Sequence, residues 1–107
     1  MLIHSLASDS GINLIPGGGE TYFVRSCDVV GFLATCAESK VVVLGIEGFR
    51  KCGREIVPDL EFIADFSAVA ELPPGQRSSA SIEGSFLFFN AVKPPQDLLF
   101  DFTLSED

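Results

Sequence analysis

The run from Val41 to Ile46 restricts the fold of this chain more than any other segment. It is apolar at both alternating sets of positions, so neither face of a strand formed by it could lie in water. Strands of this kind lie at the centre of a sheet and are covered on both sides. The following "RKCG" predicts a turn, and "REIVP" predicts a return strand that ends at Pro58, because proline cannot donate a ladder hydrogen bond. We therefore predict a hairpin over about residues 40–57.

Two further segments show strand patterns. The segment of about residues 98–104, "LLFDFTL", alternates between apolar residues and a mixed set that includes Asp101 and Thr103. This alternation predicts a strand with one face in the core and the other largely in water. In the first 25 residues, short apolar runs surround Pro16 and three glycines, which indicates a hairpin with a loose loop or an irregular segment that leads into Tyr22–Arg25.

Three segments have helical spacing, with apolar residues at i, i+3, i+4 and i+7 or a close variant. The first carries Val29, Phe32, Leu33 and Cys36, and Ser26 or Asp28 could cap its start. The second would begin at Asp59 and carries Leu60, Ile63, Ala64 and Ser67, with Phe62, Phe66 and Val69 as a second stripe. The third would run from Ile82 into Ala91, with Ser79 or Ser81 as its cap, and end at "KPPQ".

These elements together predict one domain over residues 1–107. The fold class is α+β, a two-layer domain in which about three helices pack on a mixed or antiparallel sheet. The sheet contains the hairpin at about 40–57 and the C-terminal strand at about 98–104.

The charge of the chain is unevenly distributed. The formal net charge is −8, and residues 1–54 contribute five acids and five bases. The whole imbalance therefore lies in residues 55–107, which have ten acids against two bases. An acidic surface argues against nucleic-acid binding, which needs a basic footprint. It equally suits a soluble surface with no partner and one meant for a basic protein partner.

The apolar runs, the first residues and the cysteines indicate the cellular compartment expected for the chain. No apolar run approaches the length of about 20 residues that spans a bilayer, so no membrane segment is expected. The first residues lack the basic region of a secretory signal, which makes the cytoplasm the expected compartment. Cys27, Cys36 and Cys52 cannot all pair within one chain, and we expect three free thiols in a reducing environment.

Four carboxylates stand out as candidate binding residues. Asp59 and Glu61 would lie at the start of the second helix, where the helix dipole favours negative charge. Glu47 lies between Gly45 and Gly48 in an otherwise apolar strand, where it could cap a neighbouring helix or face a pocket. Asp65 has no structural role in the predicted helix, where it falls between two apolar stripes.

The sequence supports neither a catalytic residue nor a cofactor. Carboxylate pairs suited to acid–base chemistry occur by chance in any chain with fifteen acids. Asp59, Glu61 and Asp65 lack the spacing of an EF-hand, and a single His with three scattered Cys gives no zinc pattern. The segment "IPGGGET" lacks the lysine of a phosphate loop. We therefore predict no catalytic residue, no metal and no cofactor.

Two segments resemble a pattern found in other proteins. Leu44–Phe49, "LGIEGF", followed by Pro58-Asp59 and by Ile63–Ser67, "IADFS", resembles short uncharacterised bacterial α+β proteins. It is also similar to the small acidic immunity proteins that neutralise toxins. The resemblance covers about a quarter of the chain, and the first 25 residues have no part in it. It implies stoichiometric binding of a basic toxin domain.

The leading hypothesis is therefore a non-enzymatic acidic binding protein, immunity-like, that engages a basic protein partner. One alternative is a small enzyme or ligand-binding domain that uses Glu47 and Asp65 in a pocket. Another is a homodimer joined through the Phe-rich helix 82–91 or the C-terminal strand. Apolar residues make up 47% of the chain, a surplus that favours a subunit interface and hence a homodimer.

Overall fold

A computed structural model describes residues 2–107 and shows three helices and five strands in that part of the chain. The helices are α1 (Leu2–Ser10), α2 (Val29–Glu38) and α3 (Arg77–Val92). The strands are β1 (Ile15–Pro16), β2 (Tyr22–Arg25), β3 (Val41–Cys52), β4 (Glu55–Asp65) and β5 (Leu98–Glu106). Two short 3₁₀ turns, Ser26–Asp28 and Ser67–Glu71, precede α2 and follow β4.

The five strands form one antiparallel sheet in the order β1-β2-β5-β3-β4. Strand β3 lies between β5 and β4, as expected of a strand that is apolar on both sides. The predicted two-layer α+β class is thus confirmed, and the sheet is antiparallel rather than mixed. The central hairpin extends beyond the predicted range, since β3 and β4 together span Val41–Asp65.

The helices and one face of the sheet enclose the core. Helix α2 buries Val29, Phe32, Leu33 and Cys36, the four residues that the helical spacing predicts. Phe32 contacts Phe102 of β5 with ring centroids 4.9 Å apart, and Phe89 of α3 lies 4.9 Å from Phe100. Each fully buried side chain of this size contributes about 1.5–3 kcal/mol through removal from water. We call the face of the sheet that packs against the helices the helix-covered face.

The helix predicted from Asp59 onward is wrong, because β4 continues through Pro58 to Asp65. Proline is tolerated here because β4 is an edge strand with a neighbour on one side only. Pairing is interrupted just beyond it: Gly48 pairs with Asp59 but Glu47 pairs with Ile63, so residues 60–62 form a bulge.

From Phe62 onward, the inward side chains of β4 follow a period of two. Phe62 is buried, Ala64 and Phe66 are half-buried, and Ile63 and Asp65 between them are exposed. The apparent helical stripe of this segment is therefore not a buried face: Leu60 is 75% exposed. Helical structure follows only at the 3₁₀ turn Ser67–Glu71.

The N-terminal region contains a helix that the sequence patterns did not predict. The expected hairpin forms between β1 and β2, but Leu2–Ser10 before it is helical. Helix α1 buries Leu6 in the core and stacks His4 edge-on against Tyr22, with ring centroids 4.4 Å apart. None of the helices in residues 2–107 is long and apolar enough to cross a membrane.

Helix α3 begins at Arg77, earlier than predicted, and neither Ser79 nor Ser81 caps it. Its start is held instead by the Asp107 carboxylate, which accepts hydrogen bonds from the backbone N–H groups of Gly75 (2.9 Å) and Ser78 (3.1 Å). These two bonds lower the pKa of Asp107, and a carboxylate at a helix N-terminus also interacts favourably with the helix dipole.

Buried serines of α3 form hydrogen bonds with the backbone of β3 in the part of that strand that does not pair with β4. Pairing between β3 and β4 ends at Gly45, which leaves the start of β3 without a strand on that side. There the Val43 N–H donates to Ser81 Oγ (2.9 Å), and Ser78 Oγ donates to the Val41 carbonyl (2.8 Å). Backbone groups that would otherwise be buried without partners are thereby satisfied.

Candidate functional site

The sheet has a second face, opposite the helix-covered one. Side chains alternate along a strand, and the register therefore assigns the second face. It carries Gly45, Glu47 and Phe49 of β3, Leu99, Asp101 and Thr103 of β5, and Ile63 and Asp65 of β4. The buried side chains of the helices pack against the residues of opposite parity, such as Ile46 and Phe100. The second face presents Glu47, Asp65 and Thr103 away from the helices, whereas Leu99 on the same face is buried and Phe49 is half-buried.

Glu47 and Asp101 lie directly opposite each other on the second face. They are Cα partners in the β3–β5 ladder, and both are half-buried. Residues directly opposite in antiparallel strands have Cβ atoms about 4.5–5.5 Å apart, and like charges at such positions are destabilising. Among residues 2–107, neither carboxylate has a hydrogen-bond or salt-bridge partner. Burial, and then the charge of Glu47, raise the pKa of Asp101.

An open groove of about 410 Å³ lies beside this pair, between β3 and β4. Glu47, Asp65 and Thr103 contribute its polar groups, while Ile63 and Ala64 give it an apolar wall. Gly45 forms part of the floor, and a Cβ atom there would still lie 3.6 Å from the nearest atom, the Ala64 carbonyl oxygen. Asp101 does not line this depression but lies opposite Glu47 at its side, and we call the depression together with Asp101 the acidic groove.

Asp65, which had no role in the predicted helix, has one at the end of β4. Its Oδ1 accepts a hydrogen bond of 2.8 Å from the backbone N–H of Ser67, which closes the turn that leaves the strand. Bonding to Ser67 lowers the pKa of Asp65. The carboxylate is therefore ionised at neutral pH, and it remains exposed at the rim of the groove.

Asp59 and Glu61 lie apart from the acidic groove. Asp59 forms an ion pair with Arg50, with 2.8 Å between Oδ2 and the guanidinium, and this bond lowers the pKa of Asp59. Its Oδ1 accepts from the backbone N–H of Glu61 at 3.2 Å. Arg50 also lies 3.8 Å from Asp97. The structure thus brings Glu47 and Asp65 together, engages Asp59 internally, and leaves Glu61 exposed on the bulge.

Asp101 belongs to the acidic groove and was missed from the sequence. The alternation of residues 98–104 placed its side chain away from the core, but its partner is set by the register between two strands more than fifty residues apart. The bulge between Val43 and Gly45 shifts that register by one residue. A local pattern carries no information about such a shift.

The cysteines complete the set of chemically reactive side chains. All three cysteines are free, with Cys36 in the core and Cys27 and Cys52 exposed. Burial raises the pKa of the Cys36 thiol to about 12, so it is not a nucleophile. Within the described residues, no group of three or more His, Cys, Asp or Glu side chains is arranged to hold a metal ion.

Comparison of the chain with protein-family models, with curated proteins and with solved structures finds no match.

Proposed function

We propose that this chain is a non-enzymatic acidic binding protein that engages a basic protein partner through the second face of its sheet. The observation that carries the proposal is the opposed pair of Glu47 and Asp101. Two carboxylates that face each other without a cation reduce the stability of the free protein. A cationic side chain from a partner would relieve this repulsion, and the relief would add to the affinity.

The chemistry of the acidic groove suits an arginine or lysine flanked by apolar residues. Glu47 and Asp65 offer carboxylate oxygens to a guanidinium, which binds such groups with charge-assisted hydrogen bonds. Ile63 is 45% exposed beside them and provides apolar contact area for the stem of the same side chain. Glu61, exposed on the bulge, adds negative charge along the same strand.

The net charge of the chain supports the same kind of partner. At −8, the chain attracts a basic protein over distances comparable to the Debye length, about 10 Å in 0.1 M salt. Attraction of this kind mainly accelerates association and weakens as salt is added. The resemblance of the "LGIEGF" and "IADFS" segments to acidic immunity proteins suggests a toxin domain as the basic partner.

A second candidate function is supported by the same groove. Glu47 and Asp65 line one depression, as a small enzyme or ligand-binding domain would require. Under this alternative, a small cationic ligand would raise the Tm of the wild-type chain. The Tm of Glu47→Gln and Asp65→Asn variants would rise less or not at all in the same screen.

The test of the main proposal is capture of partners from a lysate of the source cells, with three immobilised baits. The first is the wild-type chain. The second carries Glu47→Gln, Asp65→Asn and Asp101→Asn, which keep side-chain shape and allow the turn at residue 65 to form. The third is a charge-matched control with Asp9→Asn, Glu38→Gln and Glu83→Gln, all on exposed positions of the helices.

The proposal expects one stoichiometric basic protein on the wild-type and control baits. That protein should be absent from the groove variant. It should elute from the other two baits as the salt concentration is raised from about 0.1 M to about 1 M, because the Debye length falls to about 3 Å at 1 M. Mass spectrometry of the eluted fractions identifies it. Equal retention by the groove variant would contradict the assignment of the second face. Retention of nothing by the wild type would contradict the proposed function.

A further inference from the structure

Helices α2 and α3 present an exposed apolar patch on the side of the molecule away from the sheet. Val30 is 64% exposed on α2, and Leu87 and Phe86 are 63% and 37% exposed on α3. The other two large apolar side chains that are exposed in residues 2–107, Leu60 and Ile63, lie on β4. We call the surface formed by Val30, Phe86, Leu87 and their exposed neighbours on the two helices the α2–α3 face.

The α2–α3 face carries almost no charge, unlike the rest of the chain. Helix α2 has no charged residue before Glu38 at its end, and α3 has none after Glu83. Around Val30 and Leu87 the face has no carboxylate to offer a basic partner, whereas Glu83 and Asp107 line a second depression together with Phe86, Ala37 and Lys40. The part around Val30 and Leu87 is the kind of surface through which two copies of a chain with a net charge of −8 can meet without bringing acidic groups together.

The face combines projections with a depression. Leu87 is 63% exposed on it. A depression of about 320 Å³ between the start of α2 and the end of α3 is lined by Val30, Phe86, Asn90 and others. Further along α2, the exposed residues Gly31, Ala34 and Ala37 are small. A two-fold axis places the same patch on both subunits, so the projections of one copy can meet the low regions of the other.

We propose that two copies of this chain associate through the α2–α3 face. The proposal concerns a different surface from the acidic groove and does not depend on the basic partner. Apolar burial provides the attraction, and the net charge of each copy opposes it. Dimer formation should therefore strengthen with added salt, which screens the repulsion between copies, whereas binding of a basic partner should weaken.

The test is sedimentation velocity of the purified chain at micromolar concentrations in about 0.1 M and about 1 M salt. We expect a species of twice the 11.5 kDa chain mass, with a larger dimer fraction at the higher salt concentration. The interface variant is Val30→Gln/Leu87→Gln, which leaves the net charge unchanged and alters positions that are more than 60% exposed. Each substitution occurs twice in a symmetric interface, so dissociation should become at least about tenfold easier.

The control variant is Leu60→Gln, which removes an exposed apolar side chain on β4 and should leave the dimer fraction unchanged. Circular dichroism checks that all variants are folded. A wild-type chain that is monomeric at both salt concentrations would overturn the proposal. So would an interface variant that dimerises like the wild type, or a dimer that Leu60→Gln disrupts. Because the lysate capture depends on groove residues, its outcome is independent of this one.

Discussion

The two faces of the sheet differ in what their side chains do for the folded state. On the helix-covered face, Phe100 and Ile46 are buried at 0% and 2% exposure and pack against the helices. On the second face, the positions beside them hold Asp101 and Glu47, which oppose each other without a cation in residues 2–107. The first arrangement stabilises the fold and the second reduces its stability. This difference is the basis of the proposal that the second face binds a partner.

The carboxylates of the chain also differ in whether they support the folded state. Asp59, Asp65 and Asp107 each accept hydrogen bonds from Arg50 or from backbone N–H groups, and their pKa values are lowered. Asp101 has no such donor among the described residues, and its pKa is raised. Carboxylates that hold the structure together can thus be distinguished from Asp101, which no donor among the described residues engages.

The largest effect should come from the helix-covered face. Phe100→Ala removes a ring with 0% exposure at the centre of the sheet, and we expect a loss of about 3–5 kcal/mol in the free energy of unfolding. Urea denaturation measures it. Phe86→Ala, at a position that is 37% exposed, serves as the control and should cost clearly less. Equal losses for the two would mean that the core is not where the fold assigns it.

Two glycines of β3 test the comparison within one strand. A Cβ atom at Gly48 would lie 2.7 Å from Phe62 Cβ on the helix-covered face, whereas at Gly45, on the second face, the nearest atom is 3.6 Å away. Gly48→Ala should therefore destabilise by about 1–3 kcal/mol, because the core must shift to accept the methyl group. Gly45→Ala should have little effect. Thermal and urea unfolding of both variants would show whether the asymmetry exists.

The serines of α3 should differ according to whether they complete the edge of β3. Ser81→Ala leaves the buried Val43 N–H without an acceptor, which should cost about 1–3 kcal/mol in the free energy of unfolding. Ser79 is exposed and donates only to the Gln76 carbonyl at 3.3 Å, so Ser79→Ala should be nearly neutral. Faster amide exchange at Val43 in the Ser81 variant would locate the effect. Similar losses for the two variants would contradict this role for Ser81.

The dependence of stability on pH should show both classes of carboxylate. Asp101 binds its proton more tightly in the folded state, so stability should rise as the pH falls from neutral through its raised pKa. Asp59, Asp65 and Asp107 have lowered pKa values, so their contribution should be lost as the pH falls below about 3.9, the usual value for Asp. Urea denaturation across this range should give a maximum on the acidic side of neutrality.

Two variants separate the parts of that profile. Asp101→Asn should remove the rise on acidification and leave the loss at low pH. Asp107→Asn should reduce the loss, because the amide cannot supply the charge that interacts with the start of α3. A wild-type profile that falls steadily from neutral pH would contradict the assignment of Asp101.

The elements that the sequence predicted correctly are those whose patterns are local and unambiguous. The four buried residues of α2 follow one helical stripe, and β5 follows one alternation. The segment after Pro58 carries both a helical stripe and the alternation of Phe62, Ala64 and Phe66. The segment forms a strand because it pairs with β3, and the bulge in it is visible only from that pairing. Helix α1 had a weak signal in the spacing of Leu2, Ile3 and Leu6.

The candidate site was predictable to a similar extent. Glu47 and Asp65 could be selected because each interrupts an apolar stretch, and they line one groove. Asp101 could not, since its position opposite Glu47 depends on strand register. For the same reason, the cap of α3 was assigned to nearby serines instead of Asp107, which lies 29 residues beyond Ser78. Contacts between distant segments are the part of the structure that local patterns omit.

The most direct test of the central claim needs no partner. The claim is that Glu47 and Asp101 oppose each other at the expense of stability, and the measurement is the free energy of unfolding of a Glu47→Gln/Asp101→Asn variant in urea at neutral pH. We predict a variant that is more stable than the wild type by about 0.2–1 kcal/mol, with the difference shrinking in high salt. A less stable variant would show that the two carboxylates support the fold, and would contradict the assignment of the second face as a binding surface.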